Sequence, residues 1–263
     1  MHFRLCAHRF QFLAIESVYF PPDKAGNVLR GALLATLEPG DPAPLRPSGL
    51  ADPPPPFVLR AAHLNGRRFE PGESFAFDLH IFDLRAPLVD RFARVCAEWE
   101  STGLGPRRGR VQLLRSAGTG SKIAIDLSDV NPASNCSVYF RTPTTLKGTP
   151  TPDGIPFGIL FARVRDRIAT LSSLYGEGPP VIDFGAIATR AALVRTVHSD
   201  LRRHNVDRLS SRTGAVHGIG GVTGSVDYEG DLTEFLPWLR AAFWTGIGRH
   251  TVWGNGVIEV VTR

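Results

Sequence analysis

The stretch WTGIGRHTVWGNGV, residues 244–257, lies near the C-terminus and combines four glycines with an adjacent arginine and histidine. Glycine lets the backbone adopt positive φ and approach a ligand closely, so successive N–H groups can point at the oxygens of a phosphate. Arg249 and His250 add side-chain donors at the middle of the stretch. The pattern predicts a loop that binds a polyanion, and we call residues 244–257 the glycine loop.

The order of the elements around the glycine loop argues against two nucleotide-binding motifs. A helix-like run, residues 231–243, precedes the loop, and a strand-like run, residues 257–261, follows it. A dinucleotide-binding fingerprint needs the order strand, loop, helix and a glycine at the position of Thr251, and a Walker A loop needs Gly-Lys-Ser/Thr. The alternative, that the glycines only end a helix and form a tight turn, stays open.

The length and composition fit a globular protein with a substantial core. The chain has 263 residues, of which 43% are hydrophobic, so it is long enough for one large domain or two domains of ordinary size. All but three of its 30 basic residues are arginine, and its formal net charge is +5. Because arginine is suited to forked contacts with phosphate and to stacking on bases, this composition permits a nucleic-acid partner without requiring one.

Cysteine spacing and hydropathy narrow the class of protein further. Cys6, Cys96 and Cys136 are far apart and show no paired spacing, which predicts neither a disulfide framework nor a metal site. No apolar run approaches the ~18 residues of a membrane span, and the N-terminus lacks a signal pattern. We therefore expect a cytoplasmic protein with no membrane partner, no metal ion and no cofactor.

The first half of the chain predicts the order strand, helix, strand, strand, helix, strand. A long strand is predicted over residues 3–20, and Asp23 is predicted to cap the helix that follows. The proline-rich residues 39–56 are predicted to form an exposed insertion. The other predicted elements are the helices over residues 24–37 and 87–99 and the strands over residues 57–64, 74–82, 110–114 and 123–127.

The second half repeats this order. Its predicted elements are strands over residues 138–143, 193–197, 222–228 and 257–261 and helices over residues 157–174 and 231–243. This order is that of the ferredoxin-like fold. We therefore predict an α+β protein of tandem ferredoxin-like (RRM-like) βαββαβ domains, residues 1–131 and 132–263, the second of which carries the glycine loop.

Several segments occur in an order that resembles a known family. They are KAGNVLRGAL (24–33), FEPGESF (69–75), FRTPTTLK (140–147), RLSSRT (208–213), GGVTG (220–224) and the glycine loop. Together they resemble the CRISPR-associated repeat-RNA-processing endoribonucleases of the RAMP superfamily, from about residue 12 to residue 261. Members of that family are tandem ferredoxin-like proteins in which the glycine-rich loop contacts RNA.

The resemblance implies that this chain binds the hairpin of a CRISPR repeat RNA and cuts at its 3′ base. In the implied reaction a ribose 2′-hydroxyl attacks the adjacent phosphate without a metal ion, which leaves a cyclic phosphate and a 5′-hydroxyl, and the crRNA product is retained. Other CRISPR effector subunits are possible partners. The residues expected to bind RNA are Lys24, Arg30, Arg202, Arg203, Arg208, Arg212, Gly246, Gly248, Arg249, Thr251, Gly254 and Gly256.

Two histidines are the first candidates for proton transfer in this reaction. Histidine suits the roles of base and acid because its pKa lies near neutral pH, and an arginine can stabilise the developing negative charge. His250 ranks first because the glycine loop and Arg249 surround it, and His204 ranks second because it lies within an arginine-rich segment.

The sequence departs from the family pattern in its first helix. Many relatives carry a catalytic histidine in or just after that helix, whereas this chain has none between His8 and His63. Either the general base has moved to another element, or arginines such as Arg30 act by orienting the phosphate and stabilising charge alone. Tyr19, just before the helix, is another candidate base.

A non-catalytic repeat-RNA-binding subunit of a CRISPR surveillance complex is the alternative to an endoribonuclease. The missing histidine favours the subunit, whereas the glycine loop and residues 208–213 favour the enzyme. A ferredoxin-like RNA-binding module unrelated to CRISPR would leave the ordered set of segments unexplained.

Overall fold

The structure is a computed structural model that describes residues 1–35, 53–85, 88–116, 120–147, 154–204, 207–209, 216–218 and 220–262. Most of the predicted proline-rich insertion lies outside these residues. The strands of the described residues form two main sheets, one in each half of the chain.

The first half contains one ferredoxin-like unit. Its elements are β1 (His2–Ala14), β2 (Val18–Tyr19), α1 (Ala25–Ala35), β3 (Phe57–Arg60), β4 (Arg68–Phe69), β5 (Ser74–Ile81), α2 (Leu88–Thr102), β6 (Val111–Ser116) and β7 (Ser121–Asp126). The sheet order is β3-β5-β1-β6, and all neighbouring strands are antiparallel. Strand β7 pairs with residues 2–7 of β1, on the same edge of β1 where β6 pairs with residues 10–14.

The second half repeats this topology. Its elements are β8 (Asn135–Thr144), α3 (Phe157–Tyr175), α4 (Phe184–Ala191), β9 (Arg195–His204), β10 (Asp207–Leu209), β11 (Val216–Gly218), β12 (Gly221–Glu229), α5 (Leu236–Thr245) and β13 (Ile258–Thr262). The sheet order is β13-β8-β12-β9, again antiparallel throughout. The predicted α+β fold of two ferredoxin-like units is confirmed.

Several predicted element boundaries were wrong. The strand predicted over residues 3–20 is broken after Ala14, where the N–H groups of Ile15 and Glu16 both donate to the carbonyl of Arg110, and the chain resumes as β2. The strand predicted over residues 193–197 begins at Arg195 and continues as β9 to His204, so that it includes Arg202 and Arg203. Helix α4 was missed, although Asp183 caps it by accepting from the N–H groups of Gly185 and Ala186.

Two hydrophobic cores hold the elements together. Helices α1 and α2 pack on one face of the first sheet around residues such as Phe12, Phe77 and Trp99. In the second core, helices α3 and α5 pack with their own sheet and also with Phe3 and Leu5 of β1. Because the second core includes residues of the first sheet, the C-terminal end of α5 lies where the two halves meet. The domain boundary at residues 131/132 stays a prediction.

Candidate functional site

The glycine loop bends sharply between α5 and β13. Gly246, Gly248, Gly254 and Gly256 all have positive φ, between 64° and 86°. At Gly248 a Cβ atom would lie 2.2 Å from the carbonyl oxygen of Thr145, and at Gly256 it would lie 2.0 Å from that of Ile247. The close approach of the backbone, which only glycine allows at these two positions, packs the loop against the end of β8.

The backbone N–H groups of the loop are largely used within the protein. The N–H groups of Gly246, Ile247 and Gly254 donate to Ala242, Gly256 and Thr251, at 2.9, 2.9 and 3.0 Å. Those of Arg249 and Gly256 donate to the carbonyls of Thr145 and Pro143, each at 3.1 Å. These five N–H groups are directed at protein carbonyls and not at a ligand. For them, the prediction that backbone N–H groups bind phosphate was wrong.

Burial divides the predicted RNA-binding residues of the loop into two groups. Gly246, Thr251, Gly254 and Gly256 are buried, whereas Arg249 is exposed and Gly248 is intermediate. The buried residues shape the loop, and Arg249 is the most exposed of these predicted RNA-binding residues.

His250 and Trp253 connect the loop with helix α1. His250 has a left-handed backbone, with φ 63°, and its ring is stacked on that of Trp253 at 4.5 Å between centroids and 11° between planes. The guanidinium carbon of Arg30, on α1, lies 5.0 Å from the centroid of the Trp253 ring, which is cation–π geometry. Two predicted site residues from opposite ends of the chain, Arg30 and His250, therefore meet at Trp253.

His204 meets the segment that leads into α1. Its Nε2 atom lies 3.1 Å from Oδ2 of Asp23, and both side chains are about 40% exposed.

The prediction that Asp23 caps α1 was wrong: Asp23 has φ 58°, and the N–H group of Ala25 donates instead to Oδ1 of Asn65, at 2.9 Å. A narrow cleft next to this pair is lined by Asp23, Gly26, Ala62, Asn65, Thr142, Pro143, Trp253, Gly254 and Asn255.

The other residues that were predicted to bind RNA or to transfer a proton lie in the segment before α1 and in strands β2, β9 and β10, or outside the described residues. Lys24 is exposed just before α1, and Arg202 and Arg203 are exposed on the edge strand β9. Tyr19 lies in β2, with the guanidinium of Arg68 5.7 Å from its ring centroid. The backbone of Arg208 belongs to β10, where it pairs with β11. The side chain of Arg208 and the whole of Arg212 lie outside the described residues.

Sequence reasoning missed three polar side chains at the end of α5: the buried His80 and the half-buried Arg60 and Arg167. Burial lowers the pKa of Arg60 to about 9 and that of Arg167 to about 10, so both stay protonated at neutral pH. Burial, and after it the charge of Arg60, lowers the pKa of His80 to about 4, so its ring is neutral. Arg60 lies in an otherwise apolar strand and Arg167 in a helix with other arginines, so neither position signals burial.

This architecture defines the class of the protein. Residues of both ferredoxin-like units pack in the second hydrophobic core. A glycine loop after the last helix presents an arginine and a histidine at the junction of the two units. That combination was predicted from the resemblance to RAMP-superfamily proteins. In the part of the chain that the structure describes, no helix is long and apolar enough to cross a membrane.

Comparison with family models connects the C-terminal half of the chain to a specific family. Residues 138–258, which include β9 and the glycine loop, match the model of the CRISPR-associated endoribonuclease Cas6, and residues 35–127 match a model described as an N-terminal domain. No curated protein matches. The match over residues 138–258 confirms the resemblance that was inferred from the ordered segments.

Solved structures show the same fold along the whole chain. A Cas6 from Thermus thermophilus is 18% identical with a TM-score of 0.58, and 98% of each chain is covered. A Cas6 product complex is 17% identical with a TM-score of 0.57, and 98% of this chain and 100% of that chain are covered. A chain of a partial Cas6-RT-Cas1–Cas2 complex is 10% identical with a TM-score of 0.62, and 99% of this chain and 46% of that chain are covered.

Proposed function

We propose that this protein cleaves CRISPR precursor RNA at the 3′ base of the repeat hairpin. In the proposed reaction the 2′-hydroxyl attacks the adjacent phosphate without a metal ion, which gives a cyclic phosphate and a 5′-hydroxyl, and the protein retains the crRNA. The observation that carries the proposal is the cluster of His250, Trp253 and Arg30 at the junction of the two halves. The Cas6 match over residues 138–258 supports the substrate class.

The groups of this cluster suit the chemistry of transesterification. His250 is the proposed proton-transfer residue, because imidazole exchanges a proton near neutral pH and the stack on Trp253 orients its ring. Arg30 is proposed to stabilise negative charge on the phosphate. His204, held beside the Asp23 carboxylate, is the second proton-transfer candidate, and Tyr19 in β2 is a weaker one.

A belt of cations around the cluster is proposed to hold the RNA. Arg249 and Lys24 are exposed beside the cluster, and Arg202 and Arg203 are exposed on β9; Arg208 and Arg212 are proposed to extend the belt. Shape recognition of an RNA hairpin relies mainly on contacts to phosphate and 2′-hydroxyl groups. Because one similar chain is part of a Cas6-RT-Cas1–Cas2 complex, other CRISPR proteins are proposed partners. We also propose a cytoplasmic location.

The decisive experiment replaces the attacking group of the RNA. Hairpin repeat RNA is incubated with the protein in EDTA, and in parallel with the nucleotide 5′ of the cut in its 2′-deoxy form. We expect the first RNA to be cleaved to products with a cyclic phosphate and a 5′-hydroxyl. The second should bind with the same affinity but give no product, because the nucleophile is missing. Tight binding without cleavage of either RNA between pH 6 and 9 would instead identify a non-catalytic subunit, which the absence of a histidine in α1 favours.

Arg249→Ala is expected to weaken binding of the hairpin and to flatten its salt dependence. Each phosphate contact that a cation makes adds about 0.7–0.9 to the slope of log K against log salt, so loss of one contact should reduce the slope by about that amount. The measurement is a titration of 2′-deoxy hairpin at several salt concentrations. Arg190→Ala is the matched control, because Arg190 is an exposed arginine on α4 that pairs with Glu234. Equal slopes for the two variants would remove Arg249 from the interface.

A further inference from the structure

The last turn of α5 is held by the buried His80 and the half-buried Arg60 and Arg167, which come from both halves of the chain. Arg60, on β3, donates through Nη2 to the carbonyl oxygens of Phe243 and Trp244, at 2.7 and 3.1 Å. His80, on β5, lies with Nδ1 2.9 Å from the same Trp244 oxygen. Arg167, on α3, donates to the carbonyl of Thr245 at 3.4 Å.

Electrostatics explains why two arginines are stable at this buried place. The final carbonyls of a helix lack intrahelical partners and carry the negative end of the helix dipole. A guanidinium that donates to them satisfies these acceptors and offsets part of the cost of its own burial. The end of α5 therefore supplies partial negative charge to both arginines, and the carboxylate of Asp78 adds to it at Arg60.

The two arginines differ in what else they reach. Among the described residues, the hydrogen-bond acceptors of Arg60 are carbonyl oxygens of α5 and of its own neighbour, Leu59. Arg167 also donates through Nη2 to the hydroxyl of Thr251, at 3.0 Å. Thr251 is the first residue of a short 3-10 turn, Thr251–Trp253, which directly follows His250 and ends at the tryptophan on which the His250 ring is stacked. Arg167 thus links the end of α5 to the turn that carries the proposed catalytic ring.

We propose that Arg167, acting through the Thr251 hydroxyl, is a positioning residue that fixes the turn Thr251–Trp253 and so the orientation of the His250 ring. This inference rests on the function proposed above. Arg167 is half-buried and donates to the Thr251 hydroxyl, so in this proposal it acts through the turn and not by contact with the RNA. Within the turn the N–H group of Trp253 donates to the carbonyl of His250 at 2.9 Å, which couples the two ring-bearing residues. A tilt of the turn would therefore move both rings together.

The loss of this contact should affect the chemical step more than the binding of RNA. The proposed phosphate contacts of Arg249, Lys24 and β9 do not depend on the Thr251 hydroxyl. The proton-transfer geometry does depend on the Thr251 hydroxyl, because that hydroxyl fixes the turn that orients the His250 ring. Misplacement of a reacting group by about 1 Å can lower a rate by about 10²-fold. We expect a fall in the single-turnover cleavage rate with little change in the dissociation constant.

Four variants separate positioning from stability. Thr251→Val keeps the shape of the side chain but removes the hydroxyl, and Thr251→Ser keeps the hydroxyl. Arg167→Met and Arg60→Met each remove one buried guanidinium from the end of α5. We expect Thr251→Val and Arg167→Met to cleave about 10-fold more slowly or worse, at a temperature where all variants are folded. Thr251→Ser should cleave at nearly the wild-type rate, and Arg60→Met should lose thermal stability but keep more of its rate.

A second readout does not depend on activity. The ring protons of His250 lie over the Trp253 ring, so their NMR resonances should be displaced by its ring current. We expect Thr251→Val and Arg167→Met to shift these resonances and Thr251→Ser and Arg60→Met to leave them. If the wild-type protein does not cleave RNA, the proposed function fails, and this spectrum alone decides the positioning role. Unchanged resonances in Thr251→Val, or equal rate losses in Arg167→Met and Arg60→Met, would overturn the inference.

Discussion

His250→Asn is expected to lower the rate of repeat-RNA cleavage by about 10²-fold or more, because general acid–base catalysis by a positioned side chain contributes about that factor. Asparagine is chosen because it tolerates the left-handed backbone that His250 adopts, at φ 63°. The substitution therefore removes the titratable ring while keeping the course of the loop. The measurement is a single-turnover cleavage rate at saturating protein, together with the dissociation constant of 2′-deoxy hairpin, which should stay within about twofold.

The control for this prediction is a histidine elsewhere on the basic surface. His198→Asn changes an exposed histidine of β9 in the same way, and we expect it to leave the cleavage rate unchanged. His250→Ala is less informative, because alanine in a left-handed backbone costs about 1–2 kcal/mol. A wild-type rate in His250→Asn would transfer the proton-transfer role to His204, and a large loss in Asp23→Asn would then be expected, since Asp23 lies beside that ring.

If His250 transfers a proton, its removal also changes how the rate depends on pH. Each essential acid or base contributes one limb to the pH–rate profile. We expect the pH–rate profile of His250→Asn to lose one limb and to be nearly flat on that side. A profile of unchanged shape at a lower rate would indicate that His250 contributes by contact with the phosphate instead.

The fold could be predicted because its signals are local. Strand β5 alternates Phe75, Phe77, Leu79 and Ile81, which all face the first core, and this period identifies a strand without knowledge of its neighbours. Positive φ at the four glycines of the glycine loop could be expected for the same reason, since glycine is the residue that adopts it at no steric cost.

The details of the site could not be predicted, because they depend on contacts between distant segments. The N–H group of Arg249 donates to the carbonyl of Thr145, and that of Ala25 donates to the side-chain oxygen of Asn65. Nothing in the sequence of the loop or of helix α1 specifies these acceptors. Arg167 has the sequence context of a solvated helix face, yet it donates to the carbonyl of Thr245 at the end of α5. The role of Trp253, which joins Arg30 to His250, likewise depends on contacts between segments far apart in the sequence.

Gly26→Ala is expected to displace the turn under His250 and to reduce both stability and cleavage. Gly26 lies in α1, where a Cβ atom would be 1.9 Å from the carbonyl oxygen of Trp253. Because the obstacle is backbone, it cannot be relieved by rotation of a side chain, and overpacking of this kind costs about 1–3 kcal/mol. The cleavage rate should fall by up to about 10²-fold, since the helix and the turn have to separate.

Gly31→Ala is the matched control on the same helix. No atom lies within 4 Å of the position that its Cβ would take, and alanine stabilises a helix by about 1 kcal/mol relative to glycine. We expect thermal unfolding to show a gain of stability for Gly31→Ala and a loss for Gly26→Ala, with the cleavage rate lowered only in the latter. Since both changes add one methyl group to α1, the difference between them measures the contact between the helix and the turn. Equal stability and equal cleavage in the two variants would mean that α1 does not press against Trp253 in solution, and Arg30 could then not be held at the reacting phosphate by this packing.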